Sequence, residues 1–320
     1  MSVPPSTTAV GSRIAAVAGY RPSRIVDNEE LAAPLGVTGP WIERRIGVRR
    51  RHYADTDESV VDMAATASAK VLASAGLTAE DIDLLVLATC SLPSPMPNGA
   101  ASVAARLGHP GMAAFDINAA CAGFCYALAV ADGLVRAGTS HRALVIGAEK
   151  MTDWVDPTDV DTATVFADGA GAAVVVTSDR SEIHPVVWGS DGDHADLVAI
   201  PDRYSSVTMR GQAVYRWVTT QLTPVAMAAC HKAGLPPDRL KGFVTHQANL
   251  RMIERLASAL GAPGAVIARD VVETGNTSAA SVPLALSRLV GTGEIRSGDP
   301  ILLLGFGAGL SYAAQVVRCP

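Results

Sequence analysis

Three segments carry side chains whose types and setting suit covalent chemistry. In "AFDINAACAGFCYAL" (114–128), Cys121 follows a strand-like run and precedes a helix-like pattern. The first turn of a helix presents unpaired N–H groups and a positive dipole end, which would stabilise a thiolate nucleophile. A buried core cysteine fits the same stretch equally well. Cys125, one turn deeper, reads as core packing. His246 closes "GFVTH" at the carboxyl end of a predicted strand, where α/β proteins place sites; a surface-loop histidine is the alternative. Asn276 in "GNTSAASVP" (275–283) stands before a helix rich in small residues and suits an N-cap. "GFGAG" (305–309) reads as a glycine-rich turn that lets backbone approach closely. It has no phosphate-loop lysine and no following helix, which argues against nucleotide binding. Asp168 in "FADGAGA" (166–172) reads as structural, in a tight turn entering a strand. The other histidines (52, 109, 141, 184, 194, 231) lack metal-ligand spacing, and the cysteines at 90, 121, 125, 230 and 319 include no C-x-x-C pair. No metal site or disulfide framework is expected.

Such groups need a rigid frame, and alternating elements supply one. Strands are expected at 13–18, 82–89, 113–117, 142–148 and 172–177, with helices at 59–75, 97–108 and 122–137 between them. The alternation repeats as strands at 183–188, 243–245, 301–304 and 311–317 and helices at 211–233, 250–260 and 278–290. Glycines 76, 108, 138, 234 and 261 follow helices as C-caps. Repeated β–α units predict an α/β protein with helices on both faces of its sheets. A break at "SDRSE" (178–182) divides the chain into an N-terminal half, 1–180, and a C-terminal half, 181–320.

The composition fits this frame. Of 320 residues, 49% are hydrophobic and 18% charged, enough apolar material for a large core. Apolar runs such as 82–88 are too short to span a membrane. "MSVPPSTTAVGSR" reads as a short disordered lead-in without a secretory pattern, so a cytoplasmic protein is expected. A net charge of −5 gives no reason to expect nucleic-acid binding.

"AACAGF", "HQANLR", "GNTSAASVP" and "GFGAGLSY", in this order and spacing, resemble β-ketoacyl-acyl-carrier-protein (ACP) synthase III over nearly the whole chain. "WIERRIGVRRRHYAD" (41–55) and "FADGAGAAVV" (166–175) add to the likeness. The resemblance implies a thiolase-like fold, two related halves stacked as αβαβα layers, and a homodimer. It implies that Cys121 takes an acyl group from acyl-CoA or acyl-ACP, and that malonyl-ACP is then decarboxylated and condensed to 3-oxoacyl-ACP. Backbone N–H groups of Cys121 and Ala308 would hold the oxyanion, while His246 and Asn276 would donate to the malonyl thioester oxygen. Trp41, Arg45, Gln212 and Asn249 match CoA- and pantetheine-binding positions, Met96 and Phe306 acyl-pocket positions, and Arg216 and Arg251 ACP-docking positions. CoA and ACP thioesters enter as substrates, and no cofactor is implied.

Three positions depart from the family pattern. Val160 and Asp161 replace a frequent Arg-Gly beside the CoA adenine, which weakens the expected CoA contacts and points towards an ACP-bound primer or a specialised-metabolite pathway such as a polyketide starter. Ser258 and Ala259 stand where some relatives carry two lysines. Met96 replaces a bulky aromatic that reaches across the dimer to close the acyl pocket, so a primer larger than acetyl is expected. An acyltransferase of the same fold, forming no carbon–carbon bond, is the second reading. It is disfavoured by the presence of both His246 and Asn276.

Overall fold

The computed structural model of the chain describes residues 11–320. Most of the lead-in expected to be disordered lies outside these residues, but its last three (11–13) already belong to a strand. Five strands form a first sheet: β1 (Gly11–Tyr20), β2 (Leu84–Ala88), β3 (Ala113–Ile117), β4 (Arg142–Lys150) and β5 (Asp168–Ser178). Five more form a second: β6 (Val187–Ser190), β7 (Gly242–Thr245), β8 (Val266–Ile267), β9 (Pro300–Gly307) and β10 (Ser311–Arg318). Their orders are β3-β2-β4-β5-β1 and β8-β7-β9-β10-β6. Ranked within its sheet, each reads third, second, fourth, fifth, first. The pairings match too: β3·β2 and β2·β4 are parallel, β4·β5 and β5·β1 antiparallel. So are their counterparts: β8·β7 and β7·β9 parallel, β9·β10 and β10·β6 antiparallel.

Seven longer helices complete the frame: α1 (Gly39–Ile46), α2 (Val60–Ala75), α3 (Gly99–Arg106), α4 (Gly123–Arg136), α5 (Gly211–Lys232), α6 (Leu250–Leu260) and α7 (Ser281–Gly291). Local chemistry sets their ends. Ser59 and Asp62 form a capping box at α2, and Gly76 ends it in the left-handed conformation. Asn249 caps α6, whose buried Met252, Ile253, Leu256 and Leu260 share one face. Three apolar cores hold five layers together. α4 and α7 pack between the sheets, around Phe124, Leu128, Val282 and Leu286. α2 and α3 cover the outer face of the first sheet, and α5 and α6 that of the second.

Three expectations need correction. The strand expected at 183–188 is a single bridge at Ile183 followed by β6, because Pro185 has no N–H to donate to a ladder. "FADGAGA" is not a turn: β5 already runs from Asp168. Gly171 there makes room for α7, since an added Cβ would lie 2.7 Å from Pro283 Cβ. Much of "GFGAG" is likewise strand, with β9 continuing through Gly307.

Candidate active site

The segments that follow β3, β7 and α6–β8 converge on one cavity of about 840 Å³, lined by Cys121, His246 and Asn276 together. Arg45, Gln212, Arg216, Asn249, Arg251, Phe306 and Ala308 line it as well. Trp41 does not: it lines an adjoining depression with Arg44, Arg45 and Arg251. Met96 lines neither and is 78% exposed, so within its own chain it is not an acyl-pocket residue.

Cys121 sits in a short 3-10 turn (Ala120–Ala122) just before α4, after Ala120 in a left-handed conformation (φ 45°). Such strain in a non-glycine residue needs a surrounding structure that over-determines it. The turn is clamped by β9: a Cβ on Gly307 would lie 2.7 Å from Cys121 Cβ and 3.0 Å from its Sγ. The surroundings of Cys121 oppose the stabilised thiolate that its place before a helix suggests. Burial pushes the thiol up to about 12, outweighing the Ser278 hydroxyl that lowers it, and the Glu149 carboxylate adds a smaller rise. Cys121 therefore rests as a neutral thiol. Cys125 is buried beside Gly305, as the core reading requires.

His246 is buried at the end of β7, and burial lowers it to about 3, so the ring is neutral. Ser281 Oγ accepts the Gln247 backbone N–H (3.3 Å) and lies 2.7 Å from His246 Nδ1. With the Ser281 O–H assigned as the donor to Nδ1, the ring proton sits on Nε2. Phe306 meets the ring edge-on, with centroids 5.1 Å apart at 82°. Asn276 follows Gly275, whose positive φ of 70° and contact with Ala167 (2.8 Å to an added Cβ) suit glycine. Asn276 Oδ1 accepts the Ser278 backbone N–H at 2.9 Å, which leaves its NH2 as donor. Asn276 is not the helix N-cap that the sequence suggested: α7 starts after Ala280, and the Asn276 oxygen instead closes a local turn onto Ser278. Asn249 repeats the device: Oδ1 caps Met252 N–H at 2.9 Å while the residue lines the cavity.

Sequence reasoning missed Glu149. Fully buried at the end of β4, it accepts from Thr89 Oγ1, Cys90 N–H, Cys90 Sγ, Ser91 Oγ, Ser278 Oγ and Ala279 N–H. A lone carboxylate closing the apolar run "ALVIGAEK" was the available signal. Ser278 and Ser281 were missed as well, being read only as small residues. Asp168 is structural, taking the N–H groups of Ala54 and Thr152 and the Thr152 hydroxyl. Ser258 and Ala259 lie on α6 away from the cavity lining. Among the described residues no cluster of His, Cys, Asp or Glu could hold a metal ion, and no helix is long and apolar enough to cross a membrane.

A family model described as 3-oxoacyl-[acyl-carrier-protein (ACP)] synthase III matches residues 115–192, and the corresponding C-terminal model matches 230–319. The chain is 55% identical over 316 residues to beta-ketoacyl-[acyl-carrier-protein] synthase III 2 of Streptomyces avermitilis, across 97% of this chain and 99% of the relative. It superposes on the priming beta-ketosynthase of the R1128 polyketide biosynthetic pathway with TM-score 0.95 and 41% identity, covering 100% and 98% of the two chains. For 3-oxoacyl-(acyl carrier protein) synthase III of Pseudomonas aeruginosa the values are 0.92 and 37%, covering 97% and 98%.

Proposed function

The chain belongs to the β-ketoacyl-ACP synthase III family, and from that premise we propose that it condenses a primer acyl thioester with malonyl-ACP to give 3-oxoacyl-ACP. The fold is thiolase-like, two related halves in five layers. The observation that carries the reading is the meeting of Cys121, His246 and Asn276, from three distant segments, in one cavity.

The residues divide the work. Cys121 Sγ attacks the primer carbonyl, the donor's C–S bond breaks, and the thiol proton is balanced by the departing thiolate. The positive end of α4 eases charge developing on sulfur, which the resting site does not hold. Backbone N–H groups of Cys121 and Ala308 bind the tetrahedral oxyanion. Malonyl-ACP then loses CO2, and the C–C electron pair becomes an enolate. Its oxygen takes hydrogen bonds from His246 Nε2–H and Asn276 NH2, the two donors that Ser281 and Ser278 leave pointing away from themselves. A neutral histidine matters here, since it donates without protonating the enolate carbon. Each such donor is worth roughly 3–4 kcal/mol. The enolate carbon attacks the acyl-Cys121 carbonyl, the C–S bond to Cys121 breaks, and the released thiolate takes a proton from solvent to restore the thiol. Gln212 and Asn249 suit the pantetheine arm, and Arg216 and Arg251 suit an acidic carrier. With both decarboxylation donors in place, the acyl transfer ends in carbon–carbon bond formation. The working unit is a homodimer, and the primer is larger than acetyl.

Intact-mass spectrometry after acyl-thioester loading, then malonyl-ACP, tests this. Cys121→Ala should abolish loading. His246→Ala and Asn276→Ala should load yet lose condensation by about 100-fold or more. Loading on Cys121→Ala, or full condensation by either other variant, would contradict the assignment. Acetyl preferred tenfold over isobutyryl and hexanoyl would sink the primer reading.

A further inference from the structure

Four arginines line the cavity: Arg45, Arg210, Arg216 and Arg251. Two of them are already engaged by carboxylates. Arg45 Nη2 lies 2.5 Å from Asp161 Oδ1, and its guanidinium lies over the Trp41 ring, 5.0 Å from the centroid. Arg210 Nη1 lies 3.0 Å from Asp196 Oδ2. Arg251 donates to the Arg44 carbonyl, and neither it nor Arg216 has a carboxylate partner among the described residues. Asp161 and Arg45 are both half exposed, whereas His246 and Asn276 are buried, so the pair marks the open end of the cavity. Val160 beside Asp161 brings no charge.

We propose that Asp161 sets the choice of acyl donor, favouring an acyl phosphopantetheine on a carrier protein over acyl-coenzyme A. The inference rests on the condensing function proposed above. Both donors thread the same pantetheine arm and differ beyond it. A carrier-protein thioester presents one phosphodiester there, which Arg216 and Arg251, the two arginines without a carboxylate partner among the described residues, match. A coenzyme A thioester presents a pyrophosphate, a 3′-phosphate and adenine. By the family resemblance the adenine would lie against Trp41, whose face Arg45 covers. The phosphates would need Arg45, which Asp161 neutralises, and would meet the Asp161 carboxylate itself. An exposed ion pair is individually weak, so Asp161 acts by cancelling the Arg45 charge that the coenzyme A phosphates would meet rather than by locking Arg45 in place.

The test compares kcat/KM for Cys121 acylation by one acyl group carried on ACP, on coenzyme A and on N-acetylcysteamine, which has no phosphate. The wild-type enzyme should prefer ACP to coenzyme A at least tenfold. Asp161→Asn should raise the ratio of coenzyme A to N-acetylcysteamine rates about tenfold, and Asp161→Arg further. Both gains should shrink in about 0.5 M salt. An unchanged ratio in both variants, or a wild-type preference for coenzyme A, overturns the proposal. Loading from none of the three donors would instead overturn the condensing function, and this inference with it.

Discussion

A nucleophile that rests as a neutral thiol shows its state in how it reacts. Cys121 is pushed up to about 12 by burial from an ordinary 9.0, so the folded chain keeps a proton that the unfolded chain releases. Alkylation of Cys121 by iodoacetamide should rise steadily between pH 7 and 9, and a plateau near pH 7 would show a thiolate. The linked stability is whole below pH 9 and is lost as pH rises towards 12. His246 has the opposite sign. Lowered to about 3 from 6.5, it favours the folded state above pH 6.5, and this stability is lost as pH falls towards 3. Condensation at pH 6 should therefore be free of any His246 titration. Glu149 offers a second residue-scale prediction. All six of its partners are donors, so an amide in its place must turn an NH2 towards at least one of them. Glu149→Gln should cost about 1–3 kcal/mol in urea unfolding. Because Ser278 anchors the Asn276 turn, condensation should fall more than loading. Equal loss in both half-reactions would reduce Glu149 to a structural residue.

Elements bring these residues together by close approach, and glycine makes the approach possible. Gly307→Ala would set a methyl 2.7 Å from Cys121 Cβ and 2.8 Å from its backbone nitrogen, with the strained Ala120 turn behind. Neither atom is the end of a flexible chain, so the turn itself must move. Loading should fall about 100-fold, as expected when a nucleophile is displaced by about 1 Å, with a stability loss of about 1–3 kcal/mol. Wild-type loading by Gly307→Ala would show that β9 does not position the turn. The main helices and buried strands were legible in the sequence because period and cap chemistry coincide: β3 and α6 have the expected bounds. The ribbon of Arg24–Asp27 with Arg50–Tyr53 was not legible, since its polar residues alternate with nothing a core pattern would reveal. Yet it matters to the site. Fully buried Arg51 donates to the Thr164 carbonyl (2.6 Å) and Asn28 Oδ1 (2.9 Å), fixing the stretch whose Val165 and Ala167 pair with the Asn276 backbone. The catalytic trio was legible by residue type and motif. The roles of Ser281, Ser278 and Glu149 were not, because a hydrogen bond's direction depends on partners 34 to 130 residues away.

Two sheets of one strand order enclose the site, but at the scale of the molecule the first sheet ends on an unpaired edge. β3 is that edge strand, with Phe115 and Ile117 only partly buried. An open edge bearing apolar side chains is a template for a second strand. β3 also leads directly to Cys121. Asp116 on it accepts the N–H groups of Gly99 and Ala100 at 2.7 and 2.8 Å, which ties the loop bearing Met96 to the same edge. A second copy pairing along β3 would therefore meet Met96, a residue that has no cavity of its own to fill. This gives the proposed homodimer a consequence that a monomer does not share. Met96→Trp should lower the ratio of hexanoyl to acetyl loading at least fivefold, because the larger ring would narrow the partner's acyl pocket. In a monomer the same change, at a position 78% exposed and outside the cavity, would leave that ratio where it was. Sedimentation of the wild-type chain should give twice the 33.0 kDa chain mass. A monomer mass, or a primer ratio indifferent to Met96→Trp in a dimer, would remove Met96 from the acyl pocket and leave primer size to residues within one chain.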